Sequence, residues 1–440
     1  MTAPTDEPAE GPAAAPPTPP PTPPAGPRPT RRVEPGPGIR SGLRGLPRRL
    51  NPATVGAGVV AAVFGCTGPA LIVIDGAAAN GLDSRLIASW IFGIYVFGGL
   101  ISLFLALRYR MPVVGAFSIP GAVLVVGALG TFPFSAVVGA FLVAGLLVLV
   151  LGLSGLIGTV SRWLPQPIVM AMIAGALIRF GTGVVTAAQS APWIVASAVA
   201  GFLLLSRFVP AVPGALGALV AGLVAAAVTG GFASQATAVD GWTAPVLVAP
   251  TFDLAAILAV GIPLAVLVIA AENAQAYGVL LSQGYRPPIN AMTVVSGVGG
   301  LLAPLTGGHN ANVAGPMTAI CSGPQAGPDP EARYAASVVN GVLFVAFGVL
   351  AGIAVTAVTA LPTELVAVVA GLAMIGVLVS SFRGAFGEGR FRTGALTALV
   401  VAMSGVAPLG ISSPFWALVA GVAISAVVEP GDFRVRAATG

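Results

Sequence analysis

"GGHNANVAGPM", Gly307 to Met317, carries the chain's only histidine, two asparagines and a Gly-Pro step, and apolar sequence runs on both sides of it. At membrane depth such a helix-interrupting stretch is tolerated only where protein or a watery cavity covers it, because hydrocarbon cannot satisfy bare N–H and C=O groups. Two questions follow: whether the surrounding chain lies in a membrane, and why a helix is broken there.

The surroundings settle the first. Of 440 residues, 56% are hydrophobic and only 8% charged, with 59 glycines, too little charge to clothe a water-soluble globule. The composition predicts an all-α polytopic membrane protein, with the lipid bilayer as its partner. All 20 basic residues are arginine, scattered in short loops instead of along a stripe, which favours membrane orientation over nucleic-acid binding. Cys66 and Cys321 stand 255 residues apart in apolar runs, a spacing with no disulfide or metal-ligand pattern, so no metal or other cofactor is expected. The chain has no lysine, hence no phosphate-binding Gly-Lys-Ser loop, and no nucleophile–base pair stands out; an ATP-driven pump of that kind is excluded and an enzyme is not expected.

About 20 apolar residues cross the hydrocarbon core. Fourteen such segments fall near 54–79, 86–107, 113–130, 134–159, 166–187, 191–206, 209–231, 254–281, 289–304, 307–322, 333–360, 364–382, 393–411 and 413–429. The arginines test that count, because cytoplasmic loops are enriched in positive charge. With the basic N-terminal stretch inside, Arg108, Arg110, Arg162, Arg207, Arg286, Arg333, Arg383, Arg390, Arg392, Arg434 and Arg436 share its side and only Arg85 falls in an outer loop. Both termini are therefore expected in the cytoplasm. Residues 1–50, with 15 prolines and a run of arginines, read as a disordered tail that lacks the apolar core of a signal peptide, and 430–440 as a second tail.

The long outer loop, 232–253, separates seven spans (51–231) from seven more (254–429). An odd-numbered repeat must be inverted, a pattern found in secondary transporters. The third segment, "MPVVGAFSIPGAVLVV", and the tenth, which opens this section, each place an extended stretch before a proline suited to the first turn of a helix, and Pro120 and Pro316 are 196 residues apart. Each is expected to be a short strand followed by a half-helix. Two half-helix N-termini meeting near the midplane present unpaired N–H groups and partial positive charge, which suits an anionic substrate. Ser118, Asn310 and Asn312 would add hydrogen bonds, and Phe117 an aromatic wall.

Glu272, in "LVIAAENAQAYGVLL", is the acid nearest the middle of a span. A charge there costs about 2.5–3.5 kcal/mol on insertion scales unless it is protonated or partnered, so Glu272 is the candidate proton carrier, with Gln275 on its helical stripe. Its bland alternative is a structural carboxylate bonded to nearby backbone. Arg179 and Asp75 also lie in spans; the long Arg179 side chain could snorkel outward, pair with an acid such as Asp75 or help hold an anion, and pairing is the favoured role. His309 either titrates with transport or is a neutral ring bonded to backbone.

"GCTGPALIV", "SWIFGIYVFGGLISLFLALRYRMPVVGAFSIPGAVL", "LGLSGLIG", "AGALIRFG", "GYRPP", "GGHNANVAGPMTAICSGPQAGPDPEARY" and "GISSPFWALVAG" resemble, in order across 54–429, the benzoate/proton symporter family of bacterial inner membranes. The resemblance implies proton-coupled uptake of benzoate or a related small aromatic anion by alternating access. It also implies the fold of uracil and nucleobase permeases, seven plus seven inverted spans in core and gate domains, commonly as a homodimer. It places the ligand near Thr67, Gly68, Phe117, Ser118, Ile119, Gln275, His309, Asn310 and Asn312, with Glu272 as the coupling residue. At the position of Glu272 the family more often carries glutamine, and the glutamate is closer to the nucleobase permeases. A nucleobase/proton symporter and an anion channel of the same fold therefore stay open beside the leading reading.

Overall fold

The computed structural model describes residues 33–155, 157, 165–209, 214–230, 244–406, 408 and 413–433, all within one compact unit, Arg32–Gly440. Most of the expected tail (1–32), most of the expected outer loop (231–243) and the last residues (434–440) lie outside the described residues. The elements in chain order are α1 (Ile39–Arg49), α2 (Pro52–Cys66), α3 (Gly68–Ala79), α4 (Ser84–Tyr109), β1 (Gly115–Ala116), α5 (Ile119–Leu129), α6 (Phe134–Ser154), α7 (Gln166–Ser190), α8 (Pro192–Phe208) and α9 (Gly214–Thr229). They continue with α10 (Leu254–Leu281), α11 (Ile289–Leu302), β2 (Asn312–Val313), α12 (Gly315–Ser322), α13 (Tyr334–Val349), α14 (Ala351–Thr359), α15 (Thr363–Phe386), α16 (Arg392–Ser404) and α17 (Ser413–Val428).

The protein is a mostly helical, polytopic membrane protein. Among the described residues seven helical stretches are long and apolar enough to cross a bilayer: α2 with α3, α4, α6, α7, α10, the stretch Ile289–Thr306, and α15. The bent pair α13 and α14, with 67° between them, makes an eighth. Helices pack closely where glycine removes the side chain. A Cβ on Gly99 of α4 would lie 2.6 Å from the Gly341 carbonyl of α13, and one on Gly98 would lie 2.8 Å from the Ala116 Cα of β1. Small residues are how helices associate in lipid, where burial of apolar surface drives nothing.

Two local departures from the sequence reading have physical causes. Residues 39–49, expected within the disordered tail, form α1. This amphipathic helix is tied down from the preceding turn: the Glu34 carboxylate accepts the N–H groups of Asn290 and Ala291 at the start of α11, each at 2.9 Å. Tyr334 also donates to the Gly42 carbonyl at 2.9 Å, and Arg49 pairs with Asp329 and Glu331. Composition flagged the prolines and arginines, while these long-range anchors order the segment. In α10, expected as one plain span, Ile257–Gly261 and Leu267–Asn273 are π-helical around Pro263, which has no N–H to give. Glu272 stands in the second of these wider turns.

Candidate functional site

The third and tenth segments cross as a strand pair. β1 and β2 are antiparallel, with Gly115 opposite Val313 and Ala116 opposite Asn312, and each runs into a helix with proline in its first turn, Pro120 in α5 and Pro316 in α12. Two-residue strands leave most of their backbone polar groups without a ladder partner, and buried side chains complete the set. The N–H of Gly115 is accepted by Ser102 Oγ (2.8 Å), that of Val114 by Thr318 Oγ1 (3.1 Å), that of Val313 by Ser296 Oγ (3.1 Å) and that of Ser118 by Asn310 Oδ1 (3.3 Å). Asn310 Nδ2 donates to Asn312 Oδ1 at 2.7 Å, and Asn312 Nδ2 to the Val313 carbonyl at 2.6 Å. The two asparagines of the opening stretch thus spend their bonds holding the crossing together.

His309 does the same from the other face. Trp90 Nε1, which can only donate, gives its proton to His309 Nδ1 at 3.0 Å, so Nε2 carries the ring's own proton and donates it to the Ser118 carbonyl at 3.1 Å. Both ring nitrogens are used by a neutral imidazole. Phe117 is fully buried, edge-on to Tyr95 (5.2 Å) and to His309 (5.5 Å). Thr67 sits at the break between α2 and α3, where Gly68 begins the second helix, and its hydroxyl turns back to the Val63 carbonyl at 2.9 Å.

Chemistry converges on Glu272, buried at 5% exposure. The N–H of Gly315, first residue of α12, points to its Oε2 at 3.4 Å. Ser118 caps α5, accepting the Gly121 N–H at 3.1 Å, and Ile119, first residue of α5, lines the same cavity as Glu272. The carboxylate therefore lies at the start of one half-helix and shares a cavity with the start of the other. Gly315 is required there, since a Cβ would fall on the Gln275 side chain.

A cavity of about 160 Å³ opens beside this carboxylate, lined among others by Ile119, Glu272, Gln275 and Pro316. The structure brings Ser118, Ile119, Glu272 and Gln275 together at or beside it, and places Phe117, His309, Asn310 and Asn312 in the packing that supports it. Sequence reasoning missed the opposite wall, which α7 and α15 supply through Gln166, Met170, Ser380 and Ser381. The adjacent serines in the apolar run of α15 were the available signal. Pairing of Arg179 with Asp75 is not observed: the Arg179 guanidinium donates to the Val123 carbonyl of α5 at 3.0 Å, because α5, and not the Asp75 side chain, lies against it.

A polytopic helical protein that crosses two interrupted segments beside a cavity holding a buried carboxylate is built as a membrane transporter. The transmembrane domain of a cyanobacterium bicarbonate transporter, BicA, shares the fold, with a TM-score of 0.57 at 16% identity over 85% of this chain and 97% of that one. Residues 48–427 match the family described as Benzoate membrane transport protein. The Benzoate membrane transport protein of Acinetobacter baylyi (strain ATCC 33305 / BD413 / ADP1) is 30% identical over 367 residues, 83% of this chain and 92% of that protein. The Inner membrane protein YdcO of Escherichia coli (strain K12) is 29% identical over 372 residues, 84% of this chain and 95% of that protein. The chain belongs to the benzoate membrane transport family, and is a multi-pass membrane transporter and not an enzyme.

Proposed function

We propose that the chain carries benzoate or a related aromatic monocarboxylate across the inner membrane together with a proton, by alternating access, with the proton as coupling ion and no other cofactor. The observation that carries this reading is the Glu272 carboxylate facing the first N–H of α12, in a cavity that the first residues of both half-helices line. Helix starts offer unpaired donors and partial positive charge, enough to favour one carboxylate. Two carboxylates sharing that place cannot both be ionised. A substrate carboxylate takes the donors when Glu272 is protonated and leaves them, and is replaced, when Glu272 ionises. One proton then accompanies each anion.

The architecture in this proposal is fourteen crossings in two inverted seven-span repeats, with core and gate domains and both termini cytoplasmic. Supporting it, seven helical stretches and the bent pair are long and apolar enough to cross, and five shorter apolar helices and α12 bring the apolar helical segments to fourteen, the number the proposal needs. The antiparallel strand pair brings the chain into the two half-helices from opposite directions, as inversion requires. The cavity reaches Gln166 at the start of α7 and Gly384 near the end of α15, an arrangement open toward one membrane face. A second copy of the chain, as a homodimer, completes the proposed assembly.

Because Glu272 equally suits the N–H groups of a nucleobase, competition decides the ligand. Benzoate uptake into proteoliposomes is expected to follow an imposed inward proton gradient, to accumulate against its own gradient, and to be inhibited by aromatic acids and not by uracil or xanthine. Inhibition by uracil alone would assign a nucleobase, and flux without accumulation a channel.

A further inference from the structure

Three cavities are lined by both α5 and α7. The site beside Glu272 is lined from α7 by Gln166, Met170 and Ile173. The next, of about 240 Å³, is lined from α7 by Gly175, Ala176, Ile178 and Arg179, and a third, of about 490 Å³, by Arg179, Phe180 and Gly183. α5 lines the first through Ile119 and Pro120, the second through Val123, Leu124, Gly127 and Ala128, and the third through Val126 and Gly127, so the last two meet at Gly127 and Arg179. At 1.5 Å per residue Arg179 stands about 20 Å along α7 from Gln166, near the middle of its helix.

A guanidinium at mid-helix in an apolar span is costly, and such residues normally face a partner or a water-filled path. Among the described residues no carboxylate forms an ion pair with Arg179, even though Asp75 lines the third cavity with it. One donor, Nη2, goes to the Val123 carbonyl. Gly127 presents no side chain to the group; a Cβ there would only reach contact, 3.8 Å from Nη1. Arginine carries five N–H donors in a planar fork that matches a carboxylate through two parallel bonds. Its remaining donors face the second and third cavities.

Taking the substrate to be an aromatic carboxylate, we propose that Arg179 forms a second carboxylate-binding site, separate from the one beside Glu272 and farther along α7, occupied before the substrate reaches Glu272. A substrate reaching the protein from that side meets this cation first, and its hold on the Val123 carbonyl is exchanged for a hold on the anion.

The test compares wild type, Arg179→Gln and Arg179→Lys in right-side-out and inverted vesicles, with equilibrium benzoate binding measured on the purified proteins. In Arg179→Gln the KM for benzoate is expected to rise at least tenfold in one vesicle orientation and less than twofold in the other, with equilibrium Kd within twofold of wild type. Arg179→Lys, which keeps the charge and loses the fork, falls between. A KM unchanged in both orientations, or KM and Kd rising by the same factor, overturns the assignment. A second readout needs no benzoate. In a chain with Cys66→Ser and Cys321→Ser, thiocyanate is expected to slow maleimide labelling of Ala176→Cys several-fold, and to lose that effect when Arg179→Gln is added. Protection that persists without Arg179, or none in either background, also overturns it, whereas a wild type that shows protection yet binds no benzoate contradicts the proposed substrate and not this site.

Discussion

Gly315 and Glu272 meet across 3.4 Å, the first N–H of one half-helix aimed at a carboxylate carried by another span. The relation inverts the expectation that these donors wait empty for a ligand. They are engaged by a side chain of the protein, so whatever anion binds must displace it.

The glycine is therefore as specific as the acid. Gly315→Val places side-chain atoms on Gln275, and benzoate binding is expected to weaken at least tenfold while the protein still inserts and remains monodisperse by size exclusion. Binding within twofold of wild type would show that the cavity mouth lies elsewhere.

Ser118 caps α5 and directly precedes Ile119, which lines the cavity with Glu272. Loss of a cap costs about 0.5–2 kcal/mol. Ser118→Ala is expected to lower thermal stability by that order and to shift the pH dependence of uptake. A change in stability with an unaltered pH profile would reduce Ser118 to a cap.

His309 bonds Trp90 and Ser118 at once. His309→Ala strands the buried Trp90 indole N–H, costing about 1–3 kcal/mol, while the Ser118 carbonyl keeps the Ala122 N–H at 2.9 Å. A large drop in melting temperature is expected, with the pH dependence of benzoate uptake retained in the protein that folds. Loss of that dependence with full stability would make His309 a titrating group.

At the other end of the molecule, Glu429 follows α17 and accepts the N–H groups of Thr393 (2.7 Å) and Gly394 (3.1 Å) at the start of α16. Partial burial opposes its charge, yet these bonds and the Ser425 hydroxyl outweigh it and hold the carboxyl below its usual range. A lowered folded-state value means the stabilisation is full above the ordinary glutamate range and disappears as pH falls through the lowered one. Wild type is thus expected to lose stability relative to Glu429→Gln as pH falls below the ordinary glutamate range, by a small amount because solvent screens this partly exposed group. Parallel melting curves for the two proteins below that range would refute the assignment.

What could be read from the residues alone follows from how local the signal is. Pro120 and Pro316 announce their half-helices because proline acts on its own turn, and the apolar run around Glu272 exposes the acid by contrast. The roles of His309, Asn310 and Asn312 were not readable: polar side chains in an interrupted span suit a ligand and a bare backbone equally, and only the strand register shows that the backbone takes them. Met170, Ser380 and Ser381 join the cavity from helices far away in sequence. α1 was hidden for the same reason, since Glu34 finds its partners at Asn290 and Ala291.

The displacement of Glu272 by a substrate carboxylate is tested most directly by benzoate Kd as a function of pH for wild type and Glu272→Gln, in detergent, with no membrane gradient. Binding that requires a proton on Glu272 weakens as pH rises, so the wild-type Kd is expected to increase about tenfold per pH unit once Glu272 ionises, while Glu272→Gln binds with a Kd that stays level. A variant that tracks the wild-type slope, or a wild-type Kd level across the whole range, would contradict it.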